Sequence, residues 1–552
     1  MKLQQVHLRV NDAATGQPTP VRLRITDAAG TYYAPYGRLT EFATGVNQDV
    51  GGNVQIGTKK WAYIDGTCEI LLPPGTLHIE ITKGPEYKPI DQDIQLLAGK
   101  MSLRLTIERW SDGRNQGWYS GDTRVHFLSP DAALLEGQAE DVAVVNLLVV
   151  DTILEERHAN SMQQTALAPQ TWARFQELIE KAIDSNLTSK EIGELRLFSR
   201  VSVTFGGIIE RLLKNKGPRS IPQIVSFSGQ SFARQNDGCG VAVNTFNRDS
   251  HMGTLGLLHC HRVVYPLVAG DPQEENEWTL RDWCGQCHRK NGLVVWANSL
   301  GLIKPSAYGE PLADLILGDV DAFEMQDWED VSSSDLAHYY RLCDAEFVVP
   351  LVATSAKQDN HGTIGAMRTY AYLTPDEPFT YTNWIEAVRA GRTFVSNAPL
   401  LHFTINGEVP TQSYRVTVVA NQLQLRAEAK SAVRFDHLEL LWNGETIETA
   451  APSATFPYRA DLEYEFTVRE SGWLAVRCVT DRTHGTDALP MAHSSAVAVR
   501  LAESPHWAQP AAVRSLLHEL DGMLRWAKEL PRRARLIAVL EQARTVLAKK
   551  LS

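Results

Sequence analysis

The chain is poor in the features that would make its role obvious. Seven cysteines in 552 residues are too few, and odd in number, for a disulfide scaffold. Five of them, Cys239, Cys260, Cys284, Cys287 and Cys343, fall in one central stretch, and a reduced, cytoplasmic setting is expected. No uninterrupted apolar segment follows Met1, so no secretory signal is expected. The longest apolar run, Val142–Val150, is interrupted by Asn146 and falls far below the ~20 residues of a membrane span, so no membrane partner is expected. Positive charge is also scarce. Lys plus Arg number 54 against 65 Asp plus Glu, a net charge of −11, with only short basic clusters at Lys214–Lys216 and Arg532–Arg535. That balance speaks against a nucleic-acid partner. There is no Gly-x-Ser-x-Gly elbow, P-loop or Rossmann glycine fingerprint, which leaves serine hydrolysis and nucleotide binding without a motif.

What is present is a change of pattern along the chain. Three or four domains are expected at ~100–200 residues each. Residues 1–108 alternate apolar and polar with period two, as in Val6-His7-Leu8-Arg9-Val10 and Leu103-Arg104-Leu105-Thr106-Ile107, and predict a small β-sandwich. From 109 to 400 apolar runs alternate with helix-like stretches, among them Thr171–Ile183 and Leu280–Lys290, which predicts a parallel sheet, open or closed as a barrel. Residues 401–502 return to alternation around the Asn443-Gly444 turn and predict a second sandwich. Residues 503–552 carry helical spacing on both sides of Pro531 and predict a helical hairpin that packs on a neighbour.

The chemistry-bearing segment is Gly121-Asp122-Thr123-Arg124-Val125-His126, at the start of the central stretch. On a strand, positions 122, 124 and 126 project together. Two imidazoles so spaced can chelate a cation, but Arg124, always protonated, cannot. With Trp118-Tyr119-Ser120 this segment resembles the opening strand of the PHP metallohydrolase superfamily, whose pattern there is Asp-x-His-x-His. It is most similar to the branch that includes carbaryl hydrolase, the CehA/McbA-type proteins. The resemblance spans about residues 60–500 and rests also on Trp283–Trp296, Gly309–Asp314, Val320–Glu324 and Trp384–Asn397.

The resemblance implies a distorted (βα)7 barrel flanked by the two sandwiches, with metal at the C-terminal strand ends. It also implies hydrolysis of an ester, amide, carbamate or phosphate bond. It carries His126, Glu324, Asp122 and Asp151 over as metal ligands, for Zn, Mn or Fe at reduced occupancy. Asp122, Arg124 and Glu324 are the candidate catalytic groups, and a small molecule is the expected partner. Several family positions are substituted: Arg124 for a histidine, Asp151-Thr152 for Asp-His, Ala297-Asn298 for His-Pro, and Ser355-Ala356-Lys357-Gln358 for Ser-Asp-x-His. A catalytically inactive pseudoenzyme that uses the barrel mouth for binding is therefore the alternative. A carbohydrate-active barrel is the third reading, and needs Asp122 and Glu324 facing each other ~5 or ~6.5–9.5 Å apart.

Further histidines and cysteines offer other sites. His259 and His261 follow the run Leu255–Leu258, would face one way on a strand, and are alternate metal ligands. Cys284-Gly285-Gln286-Cys287-His288 has the form of a c-haem attachment site, and with His259 and His261 that of a zinc site. Its helical spacing predicts instead that Cys284 and Cys287 are buried, unbonded, on one helix face.

Overall fold

The computed structural model describes residues 3–150 apart from 46–47, and most of 222–551 apart from 237, 250–251, 270–276, 298–308, 326–333, 412, 417–420, 481–488 and 530–532. Between 151 and 221 only a few positions are described, and the helix expected over Thr171–Ile183 lies largely outside them, as does Asp151. The protein is of mixed α/β class, largely sheet, with several sheets. No helix among the described residues is long and apolar enough to cross a membrane.

The first hundred residues form two sheets. One orders the strands Thr67–Leu72, Gln4–Asp12 and Ser102–Ile107; the other orders Asn53–Ile56, Lys59–Ile64, Val21–Asp27, Gly75–Thr82 and Ile90–Leu96. Alternation does the work here. Val6, Leu8 and Val10 of one sheet and Leu23, Ile25, Ile79 and Ile81 of the other turn inward into one apolar cluster. Full burial of each such side chain stabilises by ~1.5–3 kcal/mol.

The described strands of the central region include β1 (Trp118–Val125), β2 (Val144–Val149), β3 (Cys239–Asp249), β4 (Gly253–Leu258), β5 (Leu293–Trp296), β6 (Ala322–Met325), β7 (Leu351–Ala353), β8 (Arg368–Tyr372) and β9 (Thr393–Ser396). β1, β2 and β3 are parallel, as are β5, β6 and β7. β4 runs antiparallel to both β3 and β5, and β8 runs antiparallel to β1. The parallel sheet expected from β/α alternation is thus a mixed one. The reason is local: β3 ends at Asp249 and β4 begins at Gly253, and so few intervening residues can only reverse the chain, whereas a parallel crossover needs a dozen residues or more.

No ladder among the described residues joins β7 to β1. Side chains bridge them instead: Thr123 Oγ1 lies 3.1 Å from Ala353 O, and Thr354 Oγ1 lies 2.8 Å from Arg124 O.

Helices α1 (Pro130–Ala139), α2 (Leu280–Arg289), α3 (Gly309–Ile316), α4 (Ser334–Asp344) and α5 (Tyr381–Arg389) accompany this sheet. Their starts follow capping chemistry. Ser129 caps α1 ahead of Pro130, Thr279 and Asp282 form a capping box on α2, and Thr380 caps α5. α2 buries Leu280, Trp283, Cys284 and Cys287 together, as its spacing predicts.

The sheet does not stop at residue 400: β9 pairs antiparallel with Ala492–Ser494. Beyond it, Leu400–Ile405, Gln422–Ser431 and Tyr458–Thr467 form a separate three-stranded sheet. The chain ends in α6 (Pro510–Glu529) and α7 (Ala534–Ala548), which bury Leu516, Leu520, Leu540 and Leu547 in the same apolar cluster as α2, α3 and α4. Arg341–Glu519 at 2.9 Å and Arg535–Asp282 at 2.7 Å tie the pair of helices to α4 and α2.

Candidate functional site

The β1 segment singled out in the sequence is deeply buried: Asp122 is 0 %, Arg124 5 % and His126 4 % exposed. Its side chains do not obey simple alternation. Asp122 pairs with Val145 and Val125 with Leu147, so Thr123 and Arg124 together oppose Asn146 alone. Such a bulge removes the up–down alternation of adjacent residues. Both Thr123 and Arg124 consequently reach Glu324 on β6. Thr123 Oγ1 donates to Oε2 at 2.9 Å, while Arg124 Nε and Nη2 both approach Oε1, at 3.0 and 2.9 Å. The guanidinium also lies 5.3 Å from the centre of the Phe246 ring. Burial pushes the Glu324 carboxyl up, and the Arg124 charge acts against that rise.

Asp122 turns elsewhere. Its Oδ1 accepts from Arg124 N, Thr354 Oγ1 and Ser355 N at 3.2, 2.8 and 3.2 Å; its Oδ2 accepts from Ser355 Oγ at 2.5 Å and Gly365 N at 2.8 Å. These five donors meet both oxygens and tie Asp122 to the loop after β7, more than 230 residues further along the chain. Burial is the main influence on its carboxyl and raises its pKa.

His126 has a different partner. Its Nδ1 lies 3.0 Å from Leu148 O, a contact that assigns the proton to Nδ1. Burial, with Arg124 adding to it, pushes the imidazole down to about 3, so the ring is neutral. Its ring packs edge-on to Phe246, with centroids 5.3 Å apart.

Sequence reasoning overlooked Thr123, Thr354, Gly365 and Phe246, and met Ser355 only as part of a substituted family segment. Of the overlooked residues Thr123 alone carried a local signal, its place inside the motif. The others reach the site through the fold.

The alternates do not form a pair. β4 ends at Leu258, and His259 adopts left-handed backbone at φ 58°, so the strand alternation expected to align it with His261 is lost. His259 Nδ1 lies 3.2 Å from Asn291 O and Nε2 3.0 Å from Thr382 Oγ1, whereas His261 is exposed, with Nδ1 3.0 Å from Lys290 O.

Cys284 and Cys287 are buried and free, and Cys287 Sγ lies 3.3 Å from Cys260 Sγ with Gly292 wedged against both sulfurs. All seven cysteines are free and all but Cys68 are buried. Titration of the native protein with a thiol reagent is therefore expected to find at most one rapidly reacting thiol, against seven in denaturant. Two or more fast thiols would contradict this packing.

Among the described residues, the grouping of His, Cys, Asp and Glu close enough to share an ion is His78, Glu80 and Asp91, on the five-stranded sheet near the N-terminus. Glu80 there already faces Lys59 Nζ at 2.6 Å and the Arg24 guanidinium, which spend its charge. At the central site the donor set likewise fits a divalent ion poorly. Glu324 is engaged by three donors, Asp122 by five, and a fixed guanidinium stands among them.

No family model matches the chain, and no curated protein matches it. Among solved structures it is similar to PsfC from Pseudomonas syringae PB-5123, at 15% identity and a TM-score of 0.27, covering 49% of this chain and 88% of that one. It is also similar to a glycosyl hydrolase family 2 member from Bacteroides cellulosilyticus DSM 14838, at 9% identity and a TM-score of 0.14, covering 87% of this chain and 58% of that one. Likenesses this slight carry no argument about function.

Proposed function

We propose that this chain is a PHP-type, CehA-like barrel set between two β-sandwiches, and that its mouth binds a small molecule without metal-dependent turnover. The observation that carries this reading is the Arg124–Glu324 pair. A guanidinium stands where the resembled family has an imidazole, and it rests on the carboxylate expected to hold metal. Arg124 thus acts as an internal cation in place of a divalent ion. Asp122 supports the same reading, since its oxygens are spent on the loop after β7.

Backbone strain favours a use for this rim beyond scaffolding. Phe127, directly after His126, and Ala356, beside Thr354 and Ser355, both hold positive φ, at 61° and 49°. For side chains with a Cβ this costs ~1–3 kcal/mol each, and such strain collects at binding and catalytic positions.

The test is elemental analysis of the purified protein beside a screen of p-nitrophenyl esters and phosphates. Wild type is expected to carry well under one equivalent of Zn, Mn or Fe and to show no turnover, while Arg124→His should raise metal occupancy. Stoichiometric metal in the wild type, with hydrolysis lost on chelation, would restore the metal-dependent hydrolase and end the internal-cation reading.

A further inference from the structure

A second buried cation lies behind the same rim. Lys357, on the loop after β7, has a side chain with no exposure, and so do its two acidic neighbours. Its Nζ lies 3.0 Å from Asp49 Oδ2 and 3.5 Å from Glu136 Oε2, and donates to Asp359 O at 3.0 Å and Gly362 O at 2.8 Å. The three charged groups come from three places: Asp49 from a loop of the N-terminal sheets, Glu136 from α1, Lys357 from the central region. Backbone contacts run beside them, with Gln55 N donating to Asn360 O at 2.7 Å and Gln48 bridging to Asp359.

The lysine loop is also the wall of the candidate site. Thr354, Ser355 and Gly365 hold Asp122, and Lys357 O accepts from His126 N at 2.8 Å. Whatever fastens or frees this loop acts directly on β1.

The charges do not balance when all three groups are ionised. One ammonium faces two carboxylates, a net negative charge in a space closed to water, and an unpaired buried charge is strongly disfavoured. The cluster is neutral when one carboxyl keeps a proton. Among the described residues, Asp359, Tyr63 and Arg22 near this cluster do not supply the missing cation. Asp359, on the lysine loop, adds negative charge near Asp49. Tyr63, on Lys59–Ile64, donates to Glu140 Oε1 at 2.9 Å, and Arg22 is taken by Glu140, with Nε at 3.0 Å. Burial, opposed by Lys357 and reinforced by Asp49, pushes Glu136 up to about 7.

We propose that Asp49, Glu136 and Lys357 form a proton-dependent clasp that fastens Asp49 and α1 to the loop after β7 when one carboxyl is protonated and loosens when that proton is lost. The direction follows from linkage. A carboxyl raised in the folded state favours closure fully below its ordinary value near 4.5, and that contribution is lost as pH rises through about 7. The clasp is therefore tight in mild acid and slack in mild alkali.

Hydrogen–deuterium exchange of the full chain at pH 6 and pH 8.5, corrected for intrinsic rates, tests it. In the wild type, peptides covering 43–55 and 354–365 should lose about tenfold or more of their protection at the higher pH, one pKa unit corresponding to a tenfold bias. Peptides of α6 serve as the reference. Glu136→Gln, whose amide stands in for the protonated acid, should keep those segments equally protected at both pH values. Lys357→Met should leave them exposed at both; should that variant not fold, the other two proteins decide. Equal wild-type protection at both pH values would overturn the clasp, as would a Glu136→Gln variant that retains the wild-type pH dependence.

Discussion

Replacing Arg124 with methionine is expected to destabilise the protein by about 3–5 kcal/mol, the cost of breaking a buried ion pair from one side. Glu324 is 1 % exposed, and the change would leave Thr123 as its remaining donor of those described above. The loss should be smaller at pH 5 than at pH 8. Glu324's carboxyl is already raised by burial with Arg124 opposing the rise, so without Arg124 it takes up a proton more readily, and a protonated acid is cheaper to bury. Removing both partners in Arg124→Met/Glu324→Leu should recover most of the loss, because the desolvation of two charges is avoided together. Urea unfolding midpoints of the two single variants, the double variant and the wild type complete the cycle. A single Arg124→Met variant within ~0.5 kcal/mol of wild type, the range of neutral surface changes, would mean that the pair is not a structural element.

The opposite sign is expected at Asp314. This residue of α3 is 0 % exposed, and neither of its carboxyl oxygens has a hydrogen-bond partner among the described residues. Burial first, then the charges of Glu310 and Asp319, hold its carboxyl far above the ordinary range, with Arg281 opposing them. It is consequently a neutral acid in the folded protein and an ionised one in the unfolded chain. Folding therefore takes up a proton here, and its contribution to stability falls as pH rises above about 3.8. Asp314→Leu, which has the same branched side-chain skeleton with methyl groups in place of the oxygens, should stabilise by about 1–4 kcal/mol at pH 8 and by less at pH 4. Denaturant midpoints at pH 4, 6 and 8 measure it. A variant less stable than wild type at pH 8 would show that Asp314 has a partner when the protein works.

Period-two alternation made the N-terminal strands legible, since Val6, Leu8 and Val10 could turn inward only together. Helical spacing did the same for α2, where Cys284 and Cys287 had to share the face of Trp283. The motif at Asp122–His126 was legible as a strand end, but its side-chain directions were not. The one-residue bulge against Asn146 moves Thr123 and Arg124 to a common target, and a bulge has no signature in residue type alone. His259 escaped for a similar reason, its left-handed backbone ending the strand one residue before the pattern would have paired it with His261.

By itself the sequence determined the kinds of element and their order: alternating strands, a central run of strands and helices, strands again, and two closing helices. It also determined the chemical identity of the cation at position 124, since a guanidinium cannot give up its proton to serve as a ligand. Which carboxylate that cation would meet was decided only by the tertiary structure. Glu324 lies 200 residues away, and Asp122, two residues away, is claimed by Thr354, Ser355 and Gly365. Asp49 and Glu136 gave no sequence signal, and Lys357 stood out only as part of the substituted segment Ser355–Gln358. Their meeting depends on how the N-terminal sheets dock on the central one, and buried charges pair with whatever partner the packing places within reach.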